Sequence, residues 1–167
     1  LANAGAFLAN AGAFLANAGA LPTNVEHTFL LKEGLWRCEG EFLDAAGKAT
    51  AVAGEAQIRH HPDKWIYEGV LRMVLTPPVE HRTVYEIQPL APGNFATLWT
   101  SKSVAFGTLH GRFIVLGDTI LSAYESATGR YRGQDTLLQR DGNRYSARGT
   151  LLDAGRILSA WRIELTS

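Results

Sequence analysis

Turn-forming clusters recur along this chain at the spacing of one long strand plus a short loop, and that rhythm constrains the fold more than any other feature. The clusters are Asp44-Ala45-Ala46-Gly47, His61-Pro62-Asp63, Thr76-Pro77-Pro78, Ala91-Pro92-Gly93-Asn94, a weaker one near Ser103, Gly117-Asp118, Ala127-Thr128-Gly129, Asp141-Gly142-Asn143 and Asp153-Ala154-Gly155. Each supplies residues that tolerate positive φ or carry a preset φ for a tight reversal. Nine reversals separate ten strands, expected near 34–43, 49–60, 64–75, 82–89, 95–101, 106–116, 119–126, 131–140, 144–152 and 156–165. No helix-length 3.6 period interrupts them, so parallel strands with helical crossovers are not available. Long strands joined consecutively close most simply into an up-and-down antiparallel β-barrel of about ten strands, an all-β fold that removes exposed edges.

Alternation gives the wall its two faces. Trp36, Cys38, Gly40 and Phe42 share one face of the first strand, with Arg37, Glu39 and Glu41 on the other. In the ninth, Tyr145, Ala147, Gly149 and Leu151 oppose Arg144, Ser146, Arg148 and Thr150. The third sets Trp65, Tyr67, Gly69, Leu71 and Met73 against Ile66, Glu68, Val70 and Arg72, which leaves Glu68 and Arg72 outside as an exposed pair. Apolar residues make up 46% of the 167, enough for one full core.

Sixteen basic residues balance sixteen acidic ones, and no basic block occurs. Nothing in that distribution favours nucleic acid or an anionic membrane as a partner. With Cys38 as the only cysteine, no intrachain disulfide forms, which fits a reducing, cytoplasmic setting. Cys38 lies in an alternating strand and is expected to be a buried, inert thiol.

The first residues differ in texture. Three near-identical copies of Leu-Ala-Asn-Ala-Gly-Ala-Phe run to Leu21, and residues 1–25 carry no charge. The organisation expected is a repetitive apolar segment over 1–22 followed by the barrel over 23–167. Read as a helix, the seven-residue period aligns Leu1, Leu8 and Leu15 with Phe7 and Phe14, a stripe suited to the barrel or to homo-oligomer formation. Against a helix stand three Gly and three Asn. Ala18-Gly19-Ala20 resembles a signal-cleavage site without the usual basic region, so export is the alternative localisation. A recent duplication, an engineered leader and a placeholder sequence all account for the identity of the copies.

Gly34-Leu35-Trp36 opens the first strand and Ala160-Trp161-Arg162-Ile163-Glu164 lies in the last. Together with ten evenly spaced strands, these residues resemble the calycin superfamily of lipocalins, fatty-acid-binding proteins and avidins. That resemblance implies a barrel floor closed by Trp36 with Arg162 packed across the indole. Gly34-Leu35-Trp36-Arg37-Cys38-Glu39-Gly40-Glu41 is similar to the opening of nitrobindin-like barrels, with Cys38 in place of a glycine. Haem-binding members of that family use a late histidine, and no histidine follows His110 here, so no cofactor is expected.

The five histidines show no metal-ligand spacing, and no metal site is expected. His60 and His61 precede Pro62 at a loop and, with His81, are expected in solvent. His110 and Arg112 lie on the more polar face of the sixth strand, outside if Leu109, Gly111, Phe113 and Val115 face inward. Arg132, Gln134, Thr136 and Arg148 are likewise expected in solvent, since a buried unpaired guanidinium is costly. Six amphipathic rings on six strands stand out: Tyr67, Tyr85, Trp99, Tyr124, Tyr145 and Trp161. They are expected to line one cavity for a small apolar or aromatic ligand; a solid core is the other arrangement they allow. Binding of such a molecule is therefore the expected function. An isomerase, cyclase or hydro-lyase acting by general acid–base chemistry is the first alternative, and a structural or oligomerisation module the second. Two or more of His110, Glu68, Arg72 and Asp135 inside the barrel would favour the enzyme; rings alone would favour the carrier.

Overall fold

In the computed structural model, which describes residues 26–167, every one of the nine turn clusters reverses the chain. The strands are β1 (Gly34–Asp44), β2 (Ala49–His60), β3 (Trp65–Met73), β4 (Val79–Ile87), β5 (Ala96–Ser103), β6 (Gly107–Leu116), β7 (Thr119–Ser126), β8 (Tyr131–Asp141), β9 (Arg144–Asp153) and β10 (Arg156–Thr166). Each pairs antiparallel with the next, and β1 closes on β10, so the sheet has no free edge. No helix occurs among the described residues. The 1–22 segment lies outside them, and with it the helical stripe and the oligomer expected there.

The expected strand ranges hold to within a few residues. The largest departure is β4, which starts at Val79 because pairing with Met73 of β3 resumes directly after Pro77-Pro78. One two-residue reversal joins β9 to β10 through Ala154 (φ 49) and Gly155 (φ 84), two successive left-handed residues as a type I′ hairpin requires. Alanine is an unusual occupant there, because its Cβ crowds the backbone at positive φ.

Strand pairing aligns the inward side chains in rows across the wall. One row runs Phe42, Trp161, Gly149, Asp135, Ser122, Phe113 and Thr97 through β1, β10, β9, β8, β7, β6 and β5. Another runs Ile58, Tyr67, Tyr85, Ser101, Leu109 and Ser126 through β2 to β7. Bulges occur only near strand ends, between Gln139 and Asp141 and between Ile157 and Ser159. The second turns Ile157 outward while keeping Ser159 in.

The two barrel ends differ. At one, the segment before β1 folds under the wall and buries His27, Phe29 and Leu30 against Trp36, Ile58 and Tyr145. Phe29 meets Trp36 edge-on at 5.4 Å, and Trp36 meets Tyr145 edge-on at 5.4 Å. Backbone N–H groups of Thr28 and Phe29 donate to the Tyr145 hydroxyl at 3.0 and 3.3 Å, and His27 Nδ1 lies 3.0 Å from the same oxygen. Burial holds the His27 imidazole below its ordinary pKa, so Nδ1 is a natural acceptor for the Tyr145 proton. The opposite end carries the β1–β2, β3–β4, β5–β6, β7–β8 and β9–β10 turns, with exposed Val74, Leu75, Val104 and Ile157 around it.

The floor corrects one expectation. Trp36 is buried there as expected, but Arg162 lies outside the barrel, where its Nε donates to Glu41 at 2.8 Å. Parity decides this: Trp161 faces in, so Arg162 faces out, directly opposite Glu41 of β1. Rings from the pre-barrel segment close the floor instead of a guanidinium. Glu68 and Arg72 also point outward but do not pair with each other. Arg59 donates to Glu68 at 2.6 Å and Arg72 to Glu80 at 2.9 Å, exposed cross-strand pairs of small energetic weight.

Candidate functional site

All six amphipathic rings lie on inward faces, and glycine explains how the wall accommodates them. Gly111 stands opposite Trp99 on the neighbouring strand, Gly133 opposite Tyr124, and Gly149 opposite Trp161. A Cβ at any of the three would run into ring atoms of its partner. Gly69, two residues along β3 from Tyr67, is covered by that phenol in the same way. Tyr67, Trp99, Tyr124 and Trp161 therefore lie back against the sheet over glycine backbone rather than projecting into the centre.

Four of them form a continuous run. Tyr67 stacks on Tyr85 at 5.0 Å, Tyr85 on Trp99 at 4.2 Å, and Trp99 meets Tyr124 at 5.4 Å. Trp161 stands farther round the wall beside Asp135. Tyr145 stands apart on the floor, fully buried, its hydroxyl engaged by the pre-barrel segment. Accessible surface divides along the same line. Floor residues Trp36, Ile58, Ile87, Ile120 and Tyr145 are buried, and so is Trp99 beside Ile87, whereas Tyr67, Tyr85, Tyr124, Trp161, Phe42, Leu71 and Met73 are only partly so, although they face inward.

Asp135 occupies the centre of this surface. It lies between Ser122 of β7 and Gly149 of β9, and its Oδ1 crowds the space above Gly149 together with the Trp161 indole. Burial pushes the carboxyl from an ordinary 3.8 up to about 7, and a hydrogen bond from the Trp161 indole only partly opposes that. No cation offsets it: every Arg and Lys within a paired strand register lies on the outward face except Arg156, which stands opposite Asp153 at the turn-rich end. Burial raises the Tyr67, Tyr85 and Tyr124 phenols well above their ordinary range, and the Asp135 charge adds to each shift. All three are neutral hydrogen-bonding groups at physiological pH. Ser122 Oγ and Trp99 Nε1 are buried without a protein partner.

The other candidates fall outside this surface. His110, Arg112, Arg132, Gln134, Thr136 and Arg148 are not inward-facing; all but Gln134 and Thr136 are charged or titratable, and each is exposed. His61 is in solvent, but His60 is not: its ring stacks on Trp65 at 4.1 Å and its Nε2 lies 2.9 Å from the Leu30 carbonyl. The expectation of a solvated residue fails there because His60, on the inward parity of β2 opposite Trp65, is covered by that ring and the segment before β1. His81 lies on the inward parity of β4 near the turn-rich end, exposed overall, with its imidazole lowered by burial. Cys38 is buried and its thiol is pushed up to about 11, mainly by burial, as an inert thiol requires. Among the described residues no group of three or more His, Cys, Asp or Glu side chains comes together to hold a metal ion. Asp135 was open to sequence reasoning: once Arg132, Gln134 and Thr136 face solvent, period two sends Asp135 inward.

No protein-family model matches this chain, and a search of curated proteins finds no match.

Proposed function

We propose that the barrel is a carrier that encloses a small hydrophobic or aromatic molecule between its floor and its turn-rich end. One observation carries this: inward rings that lie flat over glycines and keep accessible surface, where a core-filling arrangement would project them into contact across the barrel. Tyr67, Tyr85, Tyr124 and Trp161, backed by the buried Trp99, offer apolar area together with hydroxyl and indole hydrogen-bonding groups, the mixture that small-molecule sites use. The floor is sealed by Phe29, Leu30, Trp36 and Tyr145, so entry is from the end that carries Val74, Leu75, Val104 and Ile157.

A second reading, acid–base catalysis on the enclosed molecule, is favoured by Asp135, whose carboxyl sits near the working pH of a proton donor. It ranks below the carrier because His110, Glu68 and Arg72 are outside, leaving Asp135 without a second charged group. The test is titration with the neutral fluorophore N-phenyl-1-naphthylamine. Saturable binding at one site per chain, with quenching of tryptophan emission, is expected. Absence of saturable binding by this probe and by a panel of neutral aromatics would overturn the carrier reading.

A further inference from the structure

We propose that the enclosed molecule carries a cationic nitrogen, a protonated amine or a quaternary ammonium on an apolar or aromatic body, seated against the Asp135 carboxylate and the ring faces around it. This rests on the carrier reading and adds the ligand's chemical class.

Three independent features meet at one place. The first is a carboxyl group inside a ring-lined wall with no Lys or Arg in its own inward row or the rows on either side of it, Arg156 standing opposite Asp153 at the turn-rich end. An ionised carboxylate in such surroundings is expensive unless a cation joins it. The second is the wall itself, because Tyr124 and Trp161, each lying with one face over a glycine of the neighbouring strand, turn the other electron-rich face inward, and such faces attract ammonium groups. The third is Ser122, paired in register with Asp135, 2% exposed, and with no partner for its Oγ. Its lone pairs suit a second N–H of a protonated amine. Trp99 Nε1, also buried and unpartnered, is free to donate to an oxygen on the ligand body.

Proton linkage follows. With the empty carboxyl held at about 7, an ammonium ligand must displace a proton at mildly acidic pH, so affinity rises as pH climbs through that value. Few other groups compete. The inward titratable residues are Tyr67 on β3, Tyr85 on β4, Tyr124 on β7, Cys38 on β1 and, on the floor, Tyr145 on β9, His60 at the end of β2 and His27 of the segment before β1. Toward the turn-rich end stand His81 on β4, Tyr131 on β8, Asp44 on β1, which accepts from the Ala46 and Lys48 N–H groups, and Asp153 on β9, which pairs with Arg130 at 2.7 Å and stands opposite Arg156 of β10. The inward faces of β5 and β6 supply none.

The experiment uses the full chain and two probes of the same shape, (2-naphthylmethyl)trimethylammonium and its carbon isostere 2-neopentylnaphthalene, measured by competition against N-phenyl-1-naphthylamine. The cation is expected to bind about tenfold or more tightly than the isostere near pH 8. That preference should collapse near pH 5.5, whereas the isostere's affinity stays level. In Asp135→Asn the preference should disappear at both pH values while the isostere still binds. Equal or weaker binding of the cation near pH 8, with the isostere bound, overturns the cationic assignment and leaves the carrier standing. Failure of both probes and of the fluorophore overturns the carrier reading and this inference with it. The pH series on the unmutated protein keeps the proposal testable if the variant does not fold.

Discussion

Replacing Asp135 with Asn should make the empty protein more stable at alkaline pH, and the size of the effect can be worked from the carboxyl's surroundings. The folded protein holds this group at about 7 against an ordinary 3.8. A raised carboxyl binds more protons folded than unfolded. Its stabilising contribution is therefore complete below pH 3.8 and lost as pH rises through 7. At about 1.4 kcal/mol for each pH unit between those values, the full loss is about 4 kcal/mol. About 2 kcal/mol of it falls between pH 5.5 and 8. His27 acts with opposite sign, since its lowered imidazole stabilises the fold above its unfolded pKa of 6.5 and less as pH falls. The difference between wild type and Asp135→Asn cancels that term. Urea denaturation at several pH values should therefore show the variant gaining on wild type by about 2 kcal/mol from pH 5.5 to 8. A difference that does not change with pH would mean that Asp135 ionises as freely as an exposed carboxylate, and the dry, cation-free surroundings would be refuted.

Three further outcomes follow from the wall and its ends. Gly111→Ala places a methyl group inside the Trp99 ring and should destabilise by about 1–3 kcal/mol while altering the near-ultraviolet tryptophan signal; an unchanged spectrum would show that the ring does not lie over that glycine. Tyr145→Phe strands the Thr28 and Phe29 N–H groups and should cost about 2–4 kcal/mol in urea denaturation, with red-shifted emission as Trp36 becomes wetter; a loss below about 0.5 kcal/mol would refute the anchoring of the floor. Ala154→Asn relieves a left-handed alanine in the β9–β10 turn and should raise stability by about 1 kcal/mol, read from the thermal midpoint; a lowered midpoint would contradict the turn geometry.

The wall was legible in the sequence because turns and parity are local. Gly117-Asp118 and Ala154-Gly155 announce hairpins without reference to the rest of the chain, and alternation then places Tyr67, Trp99 and Tyr124 inside. Parity held over the full width of the site because both bulges lie near strand ends, beyond those rings. The Trp36–Arg162 pairing failed where a motif was set above that same parity, since one strand cannot send both Trp161 and Arg162 inward. The floor was the least legible part. The Tyr145 hydroxyl meets Thr28, a residue 117 positions away, and no short-range pattern encodes such a contact. Asp135 was available by alternation, but its significance depends on the absence of inward cations from the rows around it, which only the closed barrel makes evident.

The central claim is that a ligand sits inside the barrel against the ring-lined wall, and isotope-filtered NOE spectroscopy of a bound neutral aromatic tests it most directly. With N-phenyl-1-naphthylamine in unlabelled form and the protein labelled with ¹³C, cross-peaks are expected from the probe to the ring protons of Tyr85, Tyr124 and Trp161. Cross-peaks confined to Val74, Leu75, Val104 and Ile157 would place the probe on the outer rim and contradict an enclosed site.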